Sequence, residues 1–155
     1  MELSSDPAGY ADTGQPVLIV LTALTWPQVR DQWQWIRNGL QTVIERAHDR
    51  WLPEDVWVAL RAASVFLYTI RKDGDDIGFL VLRQDADPDG PAVFVWVCWA
   101  EPGALRDCHA QVIAALDEVA ARIGAKRLRF ESPRNGWRGF ADYFDAVQTV
   151  FEREV

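Results

Sequence analysis

The chain has few cysteines and few histidines, which limits the metal and redox chemistry open to it. Its 155 residues include two of each. Cys98 and Cys108 fall on a predicted strand and a predicted helix, an arrangement that gives neither zinc-ligand spacing nor a disulfide framework. His48 and His109 fall on separate predicted helices, without a carboxylate or a cysteine at ligand spacing. We therefore predict no metal site and a reduced, cytoplasmic setting.

Long apolar runs and an excess of positive charge are also missing. No run approaches the roughly 20 apolar residues that span a bilayer. Segment 1–15 is polar and acidic, unlike a signal peptide, and is predicted to be a flexible arm. Sixteen Lys and Arg against 23 Asp and Glu give a net charge of -7, which disfavours binding to nucleic-acid backbones. We predict no membrane or nucleic-acid partner, and one domain over residues 16–155.

The most informative stretch is an unbroken apolar run at residues 92–99 followed by a helical pattern. A strand with no polar residue is predicted to lie inside a sheet, covered on both faces. Residues 100–104 then form a turn. The next apolar residues recur at helical spacing, and Gly124 is predicted to end this helix; they are Leu105, Cys108, Val112, Ala115, Val119 and Ile123. The helix N-terminus is the natural place for an anionic ligand, because free N–H groups and the helix dipole point there.

The remaining patterns predict a mixed sheet with an antiparallel meander. A capping box of Thr25 and Gln28 begins a helix at Trp26 that continues to Ala47. Asp73-Gly74 is a strong hairpin signal, and residues 85–91 are predicted to be a second turn. Strands are predicted at 16–22, 65–70, 77–82, 92–99, 127–131 and 147–151, and further helices at 53–63, 105–123 and 137–144. The order β-α-α-β-β-β-α-β-α-β indicates an α/β (α+β) domain with helices on both faces of the sheet.

This order, with the closing stretch at residues 134–144, Arg-Asn-Gly-Trp-Arg-Gly-Phe-Ala-Asp-Tyr-Phe, resembles the GNAT (GCN5-related N-acetyltransferase) superfamily. The resemblance implies the GNAT fold and an acyl-CoA-dependent N-acyltransferase acting on a small-molecule or protein amine. The chain is also similar to short GNAT-like proteins of tailed bacteriophages, in the Trp, Arg and Gly pattern at residues 36–40 and 135–137. That similarity implies a non-catalytic virion or assembly component that uses the fold as an interaction module.

The GNAT resemblance implies an acetyl-CoA site at the turn after the central strand. Active members have a Gln/Arg-x-x-Gly-x-Gly/Ala loop there, whose N–H groups hold the pyrophosphate. Residues 100–105, Ala-Glu-Pro-Gly-Ala-Leu, keep one glycine of that pattern, and Pro102 removes a donor. The alternative is an ordinary strand-to-helix turn. The cofactor contacts that the resemblance implies are Val97, Trp99, Gly103, Ala104 and Leu105, with N–H groups of residues 97–99 near the acetyl carbonyl.

The same resemblance implies a proton acceptor and a proton donor. Glu101 is the candidate base, because burial beside Trp99 would make it a better proton acceptor. It could instead complement the helix dipole. Tyr143 is the candidate acid by its nearness to the family's tyrosine, although it is displaced from that position. Its alternative role is a core or rim aromatic.

Two further groups of residues suggest binding surfaces. Six basic residues are predicted to form an anion site, for the 3′-phosphate of CoA or an acidic partner, or else a solvated strand edge; they are Arg122, Lys126, Arg127, Arg129, Arg134 and Arg138. Trp35, Trp51 and Trp57 exceed what one helix pair buries. They predict an exposed aromatic patch for a protein partner or self-association.

Overall fold

The structure is a computed structural model that describes residues 17–130, and this range contains five strands and four helices. The elements are β1 (Ile19–Ala23), α1 (Trp26–Asp31), α2 (Trp33–Ala47), α3 (Pro53–Arg61), β2 (Phe66–Lys72), β3 (Asp75–Asp87), β4 (Gly90–Ala100), α4 (His109–Arg122) and β5 (Arg127–Phe130). The predicted arm, the last predicted helix with Tyr143, and the last predicted strand lie outside the described residues.

The first predicted helix is divided in two. Gln32 leaves helical geometry, with φ -103° and ψ 13°, yet its N–H donates to the Gln28 carbonyl at 3.0 Å and its own carbonyl accepts from Ile36 at 3.1 Å. Helical hydrogen bonds therefore continue across the break, which explains why the apolar stripe runs through it. The predicted capping box is present, with the Gln28 side chain accepting from the Thr25 N–H at 2.8 Å and the Thr25 hydroxyl accepting in return.

The five strands form one sheet in chain order, with β1 to β4 antiparallel and β5 parallel to β4. β4 is therefore an interior strand, as its apolar run predicted. Asp73 and Gly74 connect β2 and β3 with φ of 51° and 93°, the positive values that a tight hairpin turn requires. The second predicted turn shortens to residues 88–89, because β3 and β4 stay paired as far as Asp87 and Gly90.

A β-bulge at Trp96 changes which way the end of β4 faces. Val81 pairs with Val97 and Leu82 pairs with Val95, so Trp96 is an extra residue with no partner on β3. A bulge reverses the alternation of side chains along a strand. Val93 and Val95 accordingly pack on the side of α4, while Val97 packs on the side of α2.

Two cores cover the two faces of the sheet, as predicted. One contains the buried face of α4, formed by Val112, Leu116 and Val119. The other is built around residues of α1, α2 and α3, with Ile36 and Leu40 fully buried. The buried face of α4 differs from the predicted stripe at two positions. Leu116, outside the stripe, is buried, and Ile123, which the stripe includes, is 40% exposed. Gly124 ends the helical segment in left-handed geometry, with φ 77°, as predicted.

Candidate active site

The segment between β4 and α4 is a series of turns, and α4 begins at His109 rather than directly after residue 104. Gly103 has φ 77°, a left-handed conformation that interrupts helical geometry and suits glycine. Short-range bonds close the turns, with Ala104 N–H donating to the Glu101 carbonyl at 2.9 Å and Cys108 N–H to the Leu105 carbonyl at 3.2 Å. The helix prediction was wrong here because Leu105 packs against the α4-side core from a turn.

Several N–H groups of this segment remain available to a ligand. Those of Gly103, Leu105 and Asp107 make no hydrogen bond within residues 17–130, while Pro102 has none to give. The first turn of α4 contains no acidic residue, so its positive dipole end is not neutralised within the helix. The predicted contacts Gly103 and Leu105 therefore each offer a donor, whereas the N–H of Ala104 is already used.

Two basic side chains lie at this turn, and sequence patterns did not indicate either of them. The Lys72 ammonium donates to the Ala104 carbonyl at 2.9 Å, and the Arg106 guanidinium lies beside Gly103. Lys72 ends β2, over 30 residues away in sequence. The pairing of β2 with β1 and the packing of α4 on β1 bring it to this turn. Free N–H groups with nearby cations suit an anion such as a pyrophosphate.

The N–H groups near the end of β4 that point away from β3 belong to Cys98 and Ala100, so within the predicted range 97–99 only the N–H of Cys98 does so. The N–H of Glu101 donates to Ile77 of β3 at 2.8 Å. Because N–H groups alternate along a strand, those of Trp99 and Val97 also point to β3, which leaves Cys98 and Ala100 directed towards the β5 side. Pairing with β5 extends to Val95 and Phe130. Beyond that point the chain continues with residues from Glu131 onward, which lie outside the described residues.

Glu101 lies at the end of β4 with its side chain exposed, so the predicted burial beside Trp99 was wrong. A turn follows directly at Pro102, which is exposed as well. The Trp35 indole N–H donates to Glu101 Oε1 at 3.4 Å. No ion pair or second hydrogen bond to the Glu101 side chain occurs among residues 17–130. Glu101 is thus an exposed carboxylate with one of its two oxygens hydrogen-bonded to Trp35.

The tryptophans pack in pairs and groups rather than as one exposed patch. Every tryptophan within residues 17–130 is half-buried. Trp35 meets the Trp99 ring edge-on, with centroids 5.6 Å apart, while Trp51 packs against Trp96 at 5.4 Å. Trp57 stands between Trp26 and Trp33, with both centroid distances at 4.7 Å. The predicted patch of Trp35, Trp51 and Trp57 is therefore divided among three separate groups.

Two of the six basic residues assigned to an anion site are already paired. Arg127 forms a two-pronged contact with Asp89, and Arg129 forms one with Asp87. The hydrogen bond from Arg127 lowers the pKa of Asp89 to about 2, and that from Arg129 lowers the pKa of Asp87. These pairs fasten β5 to the end of the β3–β4 hairpin, which favours a structural role for this part of the basic cluster.

The thiolate forms of both cysteines are disfavoured in this fold. Both are free thiols. Burial raises the pKa of the Cys98 thiol to about 12, and it raises the pKa of Cys108 as well. Within residues 17–130 no cluster of three or more potential ligand side chains could hold a metal ion. None of the helices in that range is long and apolar enough to cross a bilayer.

A pocket of about 200 Å³ lies elsewhere, near the C-terminal end of α4. Its lining includes Val119 of α4, Ile123 directly after that helix, and Phe66 of β2. The candidate site is at the other end of α4, about 20 Å away along an axis that rises about 1.5 Å per residue. The pocket is therefore separate from the site built on β4.

Comparison of the structure with solved proteins identifies the fold. Ribosomal-protein-alanine N-acetyltransferase from Brucella melitensis biovar Abortus 2308 has a TM-score of 0.62 and 17% identity, over 90% of this chain and 98% of that chain. An aminoglycoside N-acetyltransferase in complex with CoA has a TM-score of 0.61 and 19% identity, covering 90% and 97%. A predicted acetyltransferase with acetyl-CoA from Clostridium acetobutylicum has a TM-score of 0.64 and 10% identity, covering 88% and 96%.

The chain therefore has the mixed α+β fold of the GNAT acetyltransferases. No protein-family model and no curated protein matches it by sequence.

Proposed function

We propose that this protein is an acyl-CoA-dependent N-acyltransferase whose cofactor lies along β4 and against the start of α4. The observation that carries the proposal is the unit of β4, glycine turn and α4, which presents N–H groups together with Lys72 and Arg106. Phosphates bind well to free N–H groups at the start of a helix. Two of the structurally similar proteins hold CoA or acetyl-CoA, which supports the same ligand class here.

The residues of the turn divide the binding between backbone and side chains. The N–H groups of Gly103 and Leu105 would meet the pyrophosphate, and Arg106 would supply a charge-assisted contact. The N–H groups of Cys98 and Ala100, which point away from β3, would hold the acyl carbonyl and the neighbouring amide, a role first assigned to residues 97–99. Arg106 would thus supply part of the phosphate binding that the family's missing glycine positions provide through N–H groups.

The proposed reaction is the transfer of an acetyl group to an amine. Acetyl-CoA would supply the acetyl group as an activated thioester. The amine nitrogen forms the new C–N bond, the C–S bond breaks, and the sulfur leaves as a thiolate. Glu101 accepts the proton of the attacking amine, directly or through a water. Tyr143, outside the described residues, is kept as the proposed donor of a proton to the sulfur. The free cysteines favour a cytoplasmic setting for this reaction.

Calorimetry with acetyl-CoA tests the proposal. We expect saturable heat for the wild type and about 10-fold weaker binding for Arg106→Ala, because a hydrogen bond to a charged group contributes about 1.5 kcal/mol or more. Arg46→Ala, an exposed arginine at the end of α2, is the matched control and should bind as the wild type does. Release of the CoA thiol in the presence of an amine panel then measures transfer. Absence of heat at millimolar acetyl-CoA would refute the proposal.

The second candidate is a non-catalytic interaction module, as the phage similarity implies. The single glycine of the loop favours it, because Gly103 alone remains of the family's pattern and Pro102 removes a donor. In that case the partner would be a phage or host protein, or a second copy, bound through half-buried tryptophans such as Trp51 and Trp96. A protein that ignores acetyl-CoA and elutes as an oligomer from a sizing column would support this role.

A further inference from the structure

Trp35 connects α2 to the end of β4 across 66 residues of sequence. Its indole N–H donates to Glu101 Oε1 at 3.4 Å, the long end of the range for such a bond. Catalytic hydrogen bonds in ligand-free structures are often long and shorten when the substrate binds. Oε2 of the same carboxylate makes no hydrogen bond to residues 17–130. One oxygen is therefore held and the other is left for a ligand.

The Trp35 ring is itself fixed by packing. It meets Phe79 at 5.7 Å and 71° and Trp99 at 5.6 Å and 78°, which are favoured edge-on geometries for aromatic rings. Gly39, one turn later on the same face of α2, lets these rings approach the helix. A Cβ added there would lie 2.7 Å from ring carbons of both Phe79 and Trp99. The indole N–H is thus aimed by a closely packed aromatic group.

The backbone of Glu101 is fixed independently of Trp35, by β3. Its N–H donates to the Ile77 carbonyl of β3 at 2.8 Å, which anchors the Cα. The glutamate side chain alone would still rotate among several conformations. A donor on α2 selects the conformations that bring Oε1 to the indole, and this restricts where Oε2 can lie.

We infer that Trp35 is a positioning residue, which orients the Glu101 carboxylate so that its free oxygen faces the incoming amine. This inference rests on the proposed N-acyltransferase function. A held base reacts without first losing side-chain freedom, and small misplacements of a catalytic group lower the rate. Trp35 acts through Glu101 and not on the cofactor, so its loss should affect turnover and leave acetyl-CoA binding intact.

Trp35→Phe tests the role, because it keeps an aromatic ring and removes the N–H. We expect kcat to fall about 10-fold, as a lost hydrogen bond to a charged group predicts, with the KM for acetyl-CoA unchanged. Trp33→Phe is the matched control, since Trp33 lies two residues away in the same helix and packs against Trp57 instead. It should leave kcat unchanged.

A double-mutant cycle separates positioning from general damage to the fold. Glu101→Gln should lower kcat by about 100-fold or more, the usual contribution of a general base. Adding Trp35→Phe to Glu101→Gln should then cost nothing further, because the group that Trp35 positions is already gone. Losses that multiply would overturn the inference, and so would an unchanged kcat in Trp35→Phe.

A spectroscopic measurement gives a result that does not depend on variants of Trp35. The indole N–H resonance of Trp35 should move between wild type and Glu101→Gln, while that of Trp33 should stay in place. An unmoved Trp35 resonance would overturn the inference. If the wild type shows no acetyl transfer, the proposed function fails and the catalytic role of Trp35 fails with it. If transfer occurs but the cycle is additive, the positioning role alone fails.

Discussion

The close approach of β3 to β4 at Gly78 predicts that Gly78→Ala will damage both stability and the candidate site. Gly78 is buried and pairs with Ala100, one residue before Glu101. A Cβ there would lie 2.3 Å from the Trp99 carbonyl oxygen and 2.7 Å from the Cα of Ala100. Both are backbone atoms, so no side-chain rotation relieves the overlap. The end of β4 must move away from β3.

The size of the effect follows from these distances. The strands must part by about 1 Å to reach an ordinary contact of 3.4 Å, which takes the 2.8 Å bond from Glu101 N–H to Ile77 beyond hydrogen-bond range. Overpacking costs about 1–3 kcal/mol and a lost backbone bond about 1 kcal/mol. Replacing a glycine in a strand by alanine by itself raises the free energy of unfolding by about 0.5–1 kcal/mol. We expect a net loss of about 2–3 kcal/mol, or about 5–10 °C in Tm.

Urea unfolding followed by tryptophan fluorescence measures the loss, and calorimetry measures acetyl-CoA binding in the same variant. Gly124→Ala is the control, because an added Cβ would meet nothing within 4 Å and only the φ of 77° is strained. It should cost about 1–2 kcal/mol and leave acetyl-CoA binding intact, whereas Gly78→Ala should weaken it. A Gly78→Ala protein within about 0.5 kcal/mol of the wild type would refute this reasoning.

Three further predictions concern other parts of the structure. Asp89 has its pKa lowered to about 2 by its hydrogen bond with Arg127, so its stabilising effect is complete above about pH 4 and is lost as the pH falls towards 2; thermal melts of Asp89→Asn should lack this part of the acid sensitivity, most clearly at low salt. Cys98 is half-buried and burial raises the pKa of its thiol to about 12, so it should react with a disulfide reagent at pH 8 much more slowly in the folded protein than after unfolding, and equal rates in the two states would contradict the raised pKa. Gly39→Ala should destabilise the protein despite the better helix propensity of alanine, by about 1 kcal/mol net, because its Cβ would overlap the Trp99 ring; an Ala variant that melts at or above the wild-type temperature would contradict this.

Much of the element order follows from local chemistry that the sequence carries by itself. The capping box of Thr25 and Gln28, the hairpin at Asp73-Gly74 and the stop at Gly124 each depend on one or two residues with a strong conformational preference. Apolar periodicity then separates helices from strands. The resemblance to the GNAT superfamily, built on that order, is matched by the fold of the structure.

The candidate site was only partly predictable, because its details depend on pairings between distant segments. Gly103 and Leu105 lie in the turn after β4, and their N–H groups make no hydrogen bond within residues 17–130; their contact with a cofactor stays a prediction. The exposure of Glu101 depends on how the chain leaves the sheet at its end, and its contact with Trp35 depends on how α2 packs on β4. Neither leaves a periodic signal in the sequence.

Within residues 17–130 the sequence by itself determined the order of strands and helices and that β4 is interior, since backbone preference and apolar spacing are local properties, but it did not show that α4 begins only at His109. The tertiary structure decided the rest. Because of the bulge at Trp96, Val97 and Trp99 both face the α2 side of the sheet. Strand pairing with β3 set the direction of their N–H groups. Packing of α2 placed Trp35 against Glu101. Such choices rest on contacts between residues far apart in the chain, whose free energies are settled only when the whole sheet and its helices assemble.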